Sequence, residues 1–312
     1  MRRSNSGKLV IVSVLIVAVV SIAVYYFLNS NDSEITIQSP SHFDVPLDTG
    51  ITTVQGASLG RLLFNDPLLS RHQKISCASC HQQTASYADY NKQFSTGDRG
   101  LLTKRNAPVL INLIWKSHYF ADGRAQRLEQ TILNAIKDTL ELNSDMDLIV
   151  ERIRQHPVYN KKLKNIFQIK EVEADHIINV MTQYLRTLNS WDSNYDRMRQ
   201  GTYVFTEPEK QGQLLFEQQC TSCHIPPFFQ DSTPILTTDG QKLLSPSLRN
   251  IKYSGPYMHD GRFKTLDSLL AQHPYEFPQE THRKKLSPEE HQSILIFLNT
   301  LTDEQFSNPN SY

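Results

Sequence analysis

Apolar residues along this 312-residue chain follow two distinct patterns. Near the N-terminus, Leu9–Leu28 is a run of twenty residues without a charge, and at 1.5 Å per residue a helix of that length crosses the ~30 Å core of a bilayer. In the rest of the chain, apolar residues mostly recur every three to four positions, and few segments alternate with period two. The pattern predicts a mostly α protein that is preceded by one transmembrane helix.

The helical spacing is clearest in two stripes, at Ile177, Ile178, Met181, Leu185 and Leu188 and at Ile294, Phe297, Leu298 and Leu301. Before the second stripe, Ser287-Pro-Glu-Glu290 combines an N-cap serine, a proline in the first turn and a glutamate that completes a capping box. We therefore expect the last helix to begin at this motif.

The flanks of the apolar run favour an anchor that is retained in the membrane. Arg2, Arg3 and Lys8 precede the run, and Tyr25-Tyr26-Phe27 lies at its far end, as in an interfacial aromatic belt. A cleaved signal peptide, the alternative, would have a shorter apolar core and a small-x-small cleavage site. We assign residues 1–30 to the anchor, with the N-terminus cytoplasmic and the remainder exported.

The exported part contains an internal duplication. Gly60–Phe64 and Gly212–Phe216 share the pattern Gly-x-Leu-Leu-Phe, and Tyr119–Arg124 matches Tyr257–Arg262 in Asp-Gly-Arg. After a polar linker at residues 31–50, we expect one domain at 51–200 and a second domain of the same plan at 201–312.

Each repeat carries one Cys-x-x-Cys-His motif, Cys77-Ala-Ser-Cys80-His81 and Cys220-Thr-Ser-Cys223-His224, and the two motifs use every cysteine of the chain. This is the attachment motif of c-type haem, in which two thiols bind the porphyrin vinyl groups and the histidine binds the iron. A zinc site would have to join cysteines 140 residues apart in the sequence, and a redox disulfide has no need of the following histidine. The sequence predicts two covalently bound haem c groups, held by His81 and His224.

The composition of the chain argues against several classes of protein. Lys and Arg total 32 and so do Asp and Glu, so no overall positive field favours nucleic acid as a partner. A content of 39% hydrophobic and 21% charged residues excludes a disordered or fibrous protein.

From about residue 45 to 305 the chain resembles the bacterial di-haem cytochrome c peroxidase and MauG-like family. The resemblance rests on both haem motifs and on Arg105-Asn106-Ala107-Pro108, Asp122-Gly-Arg-Ala125 and Gly255-Pro-Tyr-Met-His-Asp-Gly-Arg262. It implies an N-terminal haem at which peroxide reacts, a C-terminal haem that supplies electrons, and a calcium ion between the domains. It also implies, commonly, a homodimer. The anchor, with the remainder of the chain exported, predicts a location on the periplasmic side of the bacterial inner membrane.

The resemblance assigns further site residues. Glu141 occupies the place of the family's catalytic acid, with Glu129 as the second candidate. Arg124 and Arg262 are candidates for pairing with haem propionates, although surface ion pairs are an equal alternative. Asn106, Ser254 and Pro256 match the calcium positions, the last two through carbonyl oxygens.

Three departures from the family pattern bear on mechanism. The loop at 94–100 lacks the histidine that blocks the first iron in members requiring activation, so we expect that iron to be open opposite His81. Ala121 replaces the tryptophan that lies between the haems, and Trp115 is either a substitute relay or core. His273 stands where typical members have Met or Tyr, so we expect His224 and His273 to ligate the second iron, with Met258 and His259 as alternatives.

These features predict a membrane-anchored peroxidase that reduces hydrogen peroxide to water with electrons from a cytochrome, a cupredoxin or the quinone pool. Two rival functions remain open: a MauG-like oxidase of a protein or organic substrate, and a di-haem electron-transfer protein without catalytic activity.

Overall fold

The computed structural model describes residues 33–272, 277 and 286–308. The predicted anchor at 1–30 and the predicted iron ligand His273 lie outside these residues. Within the described part, no helix has the length and apolarity needed to cross a bilayer.

The described chain is mostly helical, which confirms the predicted class. Nine α-helices are seen in these residues: α1 Val54–Asn65, α2 Leu128–Lys137, α3 Met146–Gln155, α4 Pro157–Phe167, α5 Ala174–Arg186, α6 Asn194–Arg199, α7 Glu207–Gln219, α8 Leu266–Gln272 and α9 Pro288–Asn299. A single antiparallel hairpin pairs β1 (Asp231–Leu236) with β2 (Lys242–Ser245). Helix α9 begins at the predicted capping box, in which Ser287 accepts from the Glu290 amide.

The duplicated Gly-x-Leu-Leu-Phe pattern has a packing role in both halves. Helix α1 crosses α5, and a Cβ added at Gly60 would lie 2.0 Å from the Val180 carbonyl oxygen. Helix α7 crosses α9, and a Cβ added at Gly212 would lie 2.0 Å from the Ser293 carbonyl oxygen. Only glycine permits backbones to approach this closely, so the repeated glycine specifies the same helix crossing twice.

A buried ion pair joins the two halves. The Arg249 guanidinium donates to both carboxylate oxygens of Asp196 at 2.8 Å, and neither side chain is exposed. His42 Nε2 lies 2.9 Å from the same carboxylate. Because His42 precedes α1 and Arg249 follows β2, this network ties three distant parts of the chain together.

The segment before α1, assigned above to a linker, packs across the junction of the two halves. Phe43 is 8% exposed and meets the rings of Trp115 and Phe228 edge-on, with centroids 5.5 and 4.8 Å away. The Trp115 indole donates to the Asp44 carbonyl at 2.7 Å, and Asp48 pairs with Arg186 at 2.9 Å. Burial of the Phe43 ring and these hydrogen bonds hold the segment before α1 against the two halves. Its polar composition did not predict this packing.

Candidate functional site

The first Cys-x-x-Cys-His motif forms a tight turn. Cys77–Ser79 is a 3₁₀ turn, and the His81 amide donates to the Cys77 carbonyl at 2.9 Å. The His81 ring donates through Nδ1 to the Tyr87 carbonyl at 2.7 Å. That bond fixes the tautomer and leaves Nε2 as the lone-pair nitrogen, as a metal-binding histidine requires.

The second motif repeats this geometry at the end of α7. The His224 amide donates to the Cys220 carbonyl at 2.9 Å, and His224 Nδ1 donates to the Phe229 carbonyl at 3.1 Å. The local spacing of the motif therefore yields the same pre-oriented imidazole in each half.

Both motifs open onto one cavity of about 730 Å³, which is lined by Cys77, Cys80, His81, Cys223 and His224. Its wall is mainly apolar, but it contains several buried polar atoms with no hydrogen-bond partner among the described residues, among them Gln230 Oε1, Ser245 Oγ and His259 Nδ1. Buried polar atoms normally have partners. An apolar wall, paired thiols with an oriented imidazole, and an orphaned donor such as the Ser245 hydroxyl fit a macrocycle that carries carboxylate groups.

Glu141 lines the same cavity, on a turn that follows α2. The turn is closed by Glu141 and Asn143 amides that both donate to the Asp138 carbonyl, at 3.0 and 2.9 Å. Burial raises the pKa of Glu141 to about 7, Asp138 adds to the rise and Arg124 opposes it. The Glu141 charge also contributes to the raised pKa of Cys77, which places this carboxyl group on the side of the first motif.

The other acidic candidate, Glu129, lies on α2 outside the cavity lining. It pairs with Arg127 at 3.4 Å and approaches Arg186 to 3.7 Å. The two candidate carboxylates therefore have different surroundings. Glu141 faces the cavity, whereas Glu129 belongs to an ion-pair network.

The two arginines proposed as propionate partners differ in position. Arg124 lines the cavity, pairs with Asp122 at 3.1 Å and stacks on the Phe120 ring at 3.6 Å. Arg262 pairs with Asp260 at 2.9 Å and is not among the residues that line the cavity.

Two lysines that were not singled out from the sequence, Lys104 and Lys116, also line the cavity, together with Arg105 and His118. Burial lowers the pKa of Lys116 to about 8, because a desolvated ammonium is disfavoured. The sequence signal for Lys116 was its place directly after Val109–Trp115, a segment that is apolar except for Asn112. A lysine there is equally typical of the end of a buried segment.

The loop at 94–100 holds Asp98 at the position where a blocking histidine was sought. Asp98 bonds to His72, whose ring is half exposed and does not line the cavity. Trp115 also lies outside the cavity lining and packs with Trp191 and Phe228, at 6.2 and 5.0 Å between centroids. The Ala121 carbonyl accepts from the Leu244 amide of β2 at 2.8 Å.

The residues matched to calcium, Asn106, Ser254 and Pro256, all line the cavity. Their loops are joined by the Asn106 amide, which donates to the His259 carbonyl at 2.8 Å. Met258, with φ +72°, and His259 line the cavity as well.

Known proteins resemble this chain over most of its length. A family model described as di-haem cytochrome c peroxidase matches residues 54–203. The methylamine utilization protein MauG of Methylorubrum extorquens is 30% identical over 281 residues, covering 81% of this chain and 79% of the relative. Cytochrome c551 peroxidase of Nitrosomonas europaea is 29% identical over 273 residues, covering 80% of each.

A similar arrangement is also found among solved structures. The crystal structure of a MauG-like protein associated with microbial copper homeostasis superposes with a TM-score of 0.77 at 25% identity, covering 89% of this chain and 98% of that one. With two haem-attachment motifs converging on one cavity and a relative that is 30% identical over 81% of the chain, the chain belongs to the di-haem cytochrome c peroxidase and MauG family and binds two haem groups.

Proposed function

We propose that this protein reduces hydrogen peroxide to water with electrons delivered by a redox partner. The observation that carries the proposal is the convergence of both Cys-x-x-Cys-His motifs on one cavity that also contains the Glu141 carboxyl group. When bound, the haem iron supplies the redox chemistry and the site at which peroxide binds.

The residues of the chain supply orientation and proton transfer. His81 and His224 present fixed imidazole nitrogens. The Glu141 carboxylate takes the proton from the proximal oxygen of peroxide and returns it to the leaving oxygen, which departs as water. A pKa of about 7 lets this carboxyl group act as base and then as acid near neutral pH.

The test is Glu141→Gln, assayed for peroxide-dependent oxidation of a reduced cytochrome c. We expect kcat/KM for peroxide to fall by about 100-fold or more, the range of general acid–base catalysis. Glu129→Gln is the matched control, since it removes a nearby carboxylate that does not line the cavity. Activity retained by the Glu141 variant would overturn the assignment.

The first haem, in this proposal, has His81 as its only protein ligand. Support comes from loop 94–100, which contains no histidine, and from the bond that directs His72 to Asp98. The fully oxidised protein as isolated should show a high-spin component, and a wholly low-spin spectrum would contradict this ligation.

For the second haem we propose that His224 and His273 would hold the iron. Imidazole in place of thioether favours the ferric state and lowers the potential. His273→Ala should abolish the low-spin signal, whereas His259→Ala, which alters a residue of the cavity wall, should preserve it. The reverse result would assign the ligand to His259.

A MauG-like oxidase is the second candidate, favoured by the 30% identity to a protein named for methylamine utilization. Mixing the reduced protein with peroxide in the presence and absence of a reduced donor cytochrome separates the functions. Rapid oxidation of the donor supports the peroxidase, and a long-lived oxidised spectrum without donor turnover supports the oxidase. If peroxide does not react, the function that remains is electron transfer without catalysis.

We further propose that residues 1–30 anchor the protein to the inner membrane with the haem domains, 51–200 and 201–312, in the periplasm. The donor would then be a small cytochrome, a cupredoxin or the quinone pool. Recovery of the full-length protein in the membrane fraction, and in the soluble periplasm of a chain in which a cleavable signal peptide replaces residues 1–30, tests the anchor. Sedimentation of the latter tests the homodimer.

Calcium binding at Asn106, Ser254 and Pro256 rests on amide and carbonyl oxygens, the hard donors that this ion takes. All three residues lie where the two halves meet at the cavity. Removal of calcium with EGTA should change the haem absorption spectrum, and added calcium but not magnesium should restore it.

A further inference from the structure

The turn that carries Glu141 is held from outside by the loop at 95–103. The Asp98 amide donates to the Glu141 carbonyl at 2.9 Å. Next to it, a Cβ added at Gly97 would lie 2.0 Å from the Leu140 carbonyl oxygen, so the loop and the turn are in direct backbone contact. Any movement of this loop therefore moves the turn.

A buried carboxylate fixes the loop in this place. Asp98 is 1% exposed, and its oxygens accept from the His72 amide at 3.1 and 3.2 Å and from His72 Nδ1 at 2.5 Å. Bonds from His72 and Ser70 lower the pKa of Asp98 against the opposing effect of burial. A buried anion needs such partners, so Asp98 is confined to the single position that His72 offers.

The segment that carries His72 is itself bonded to the Glu141 turn. The Arg71 amide donates to the Leu142 carbonyl at 3.0 Å, and Arg71 Nε donates to the Asn143 carbonyl at 2.9 Å. Three pieces of chain, at 70–72, 97–98 and 138–143, thus support one another in a closed set of contacts.

We propose that Asp98 and His72 form a clamp that positions Glu141 over the first haem site and keeps the loop at 95–103 from rearranging. The proposal rests on the proposed function, since it explains how Glu141 is held in place for proton transfer. Asp98 is a positioning residue here, because it acts through the Glu141 carbonyl and not on the substrate.

Hydrogen exchange of the full holoprotein tests the clamp without reference to activity. In Asp98→Ala, the amides of residues 138–144 should exchange about tenfold faster or more, because the turn loses its outer support. His72→Ala, at a half-exposed ring, perturbs folding less and should give a smaller effect in the same peptides. Asp98→Asn keeps an oxygen for the His72 amide and should restore part of the protection.

Asp303→Ala is the matched control. Asp303 is also a buried carboxylate that accepts main-chain amides, from Trp191 and Asp192, but its hydrogen bonds do not reach the Glu141 turn. Unchanged exchange of residues 138–144 in both Asp98→Ala and His72→Ala would overturn the clamp.

The functional arm measures kcat/KM for peroxide against pH. Loosening the turn should lower kcat/KM by about 10- to 100-fold, and it should lower the apparent pKa of the Glu141 limb as the carboxyl group gains water. The charged groups that face Glu141 are Asp138 and Arg124, and the thiols of Cys77 and Cys80 are consumed by haem attachment.

The two proposals fail in different ways. Faster exchange in Asp98→Ala with unchanged kcat/KM, while Glu141→Gln is inactive, overturns the positioning role of the clamp. Full activity in Glu141→Gln instead overturns proton transfer by Glu141, whatever the clamp variants show.

Discussion

The buried ion pair between Arg249 and Asp196 should contribute strongly to the stability of the protein. Arg249→Met removes the guanidinium and leaves the Asp196 carboxylate, which has no exposure to solvent, with Ser193 and His42 as its remaining partners. Breaking a buried pair by removing one partner costs about 3–5 kcal/mol. We therefore expect the free energy of unfolding at pH 7 to fall by that amount.

The neighbouring residue provides a control of the same chemistry. Arg197 makes a two-point ion pair with Asp192 through bonds of 2.8 and 2.9 Å, but both side chains are 44% exposed. An exposed pair contributes at most about 1 kcal/mol. Arg197→Met should thus cost far less than Arg249→Met, although the bond lengths of the two pairs differ by no more than 0.1 Å.

The assay is urea unfolding followed by tryptophan fluorescence, because both tryptophans of the chain, Trp115 and Trp191, lie at this junction. The slope of the transition should be unchanged and the midpoint lowered. Equal losses in the two variants, or a loss below about 1 kcal/mol in Arg249→Met, would refute the argument that burial makes the difference.

Acid titration adds an independent check on the pair. Burial by itself would raise the pKa of Asp196, but bonds and charge from Arg249, with bonds from Ser193 and His42, lower it from 3.8 to about 2. A depressed carboxyl pKa contributes stability above the ordinary pKa, and this contribution is lost as pH falls from about 4 through 2. The loss is about 2 kcal/mol, and it should be absent in Arg249→Met.

Three further predictions follow from the same contacts. Peroxide turnover should decline as pH falls below about 7, because the base form of Glu141 is lost; a stopped-flow pH series should show this limb, and Glu141→Gln should lack it. Replacing both Cys220 and Cys223 with alanine should halve the haem content measured as pyridine haemochrome, whereas two covalent haems in that variant would refute the attachment site. Phe43→Ala should lower the free energy of unfolding by about 3–5 kcal/mol; Val45→Ala, at an 80% exposed side chain, should change it by about 0.5 kcal/mol or less, and similar losses would show that the segment before α1 is not part of the core.

Features that depend on near neighbours in the chain were predictable. The Cys-x-x-Cys-His spacing produces the same turn in both halves, with each histidine amide 2.9 Å from the carbonyl of the first cysteine. The Ser287 capping box starts the last helix where expected. Hydrogen bonds between residues three or four positions apart are fixed by local backbone geometry, so they can be predicted from the sequence alone.

Partners that are distant in sequence could not be read this way. In the sequence Asp98 is only one residue of the loop at 94–100, yet its carboxylate accepts three bonds from His72, which lies 26 positions earlier. The segment at 33–50 looked like a polar linker, yet it contributes His42 and Phe43 to the junction of the two halves. The partners of a buried charge or ring come from whichever segments pack against it in the folded protein. The order of polar and apolar residues along the sequence does not identify those partners.

The sequence by itself determined the helical class, the two Cys-x-x-Cys-His motifs, the duplication and, through the family pattern, the choice of Glu141 as the candidate acid. Only the tertiary structure decided that both motifs share one cavity, that Glu141 faces this cavity while Glu129 does not, and that burial brings its pKa to about 7. The physical reason is desolvation, which depends on how much of the whole chain surrounds a group and therefore exists only once that chain is folded.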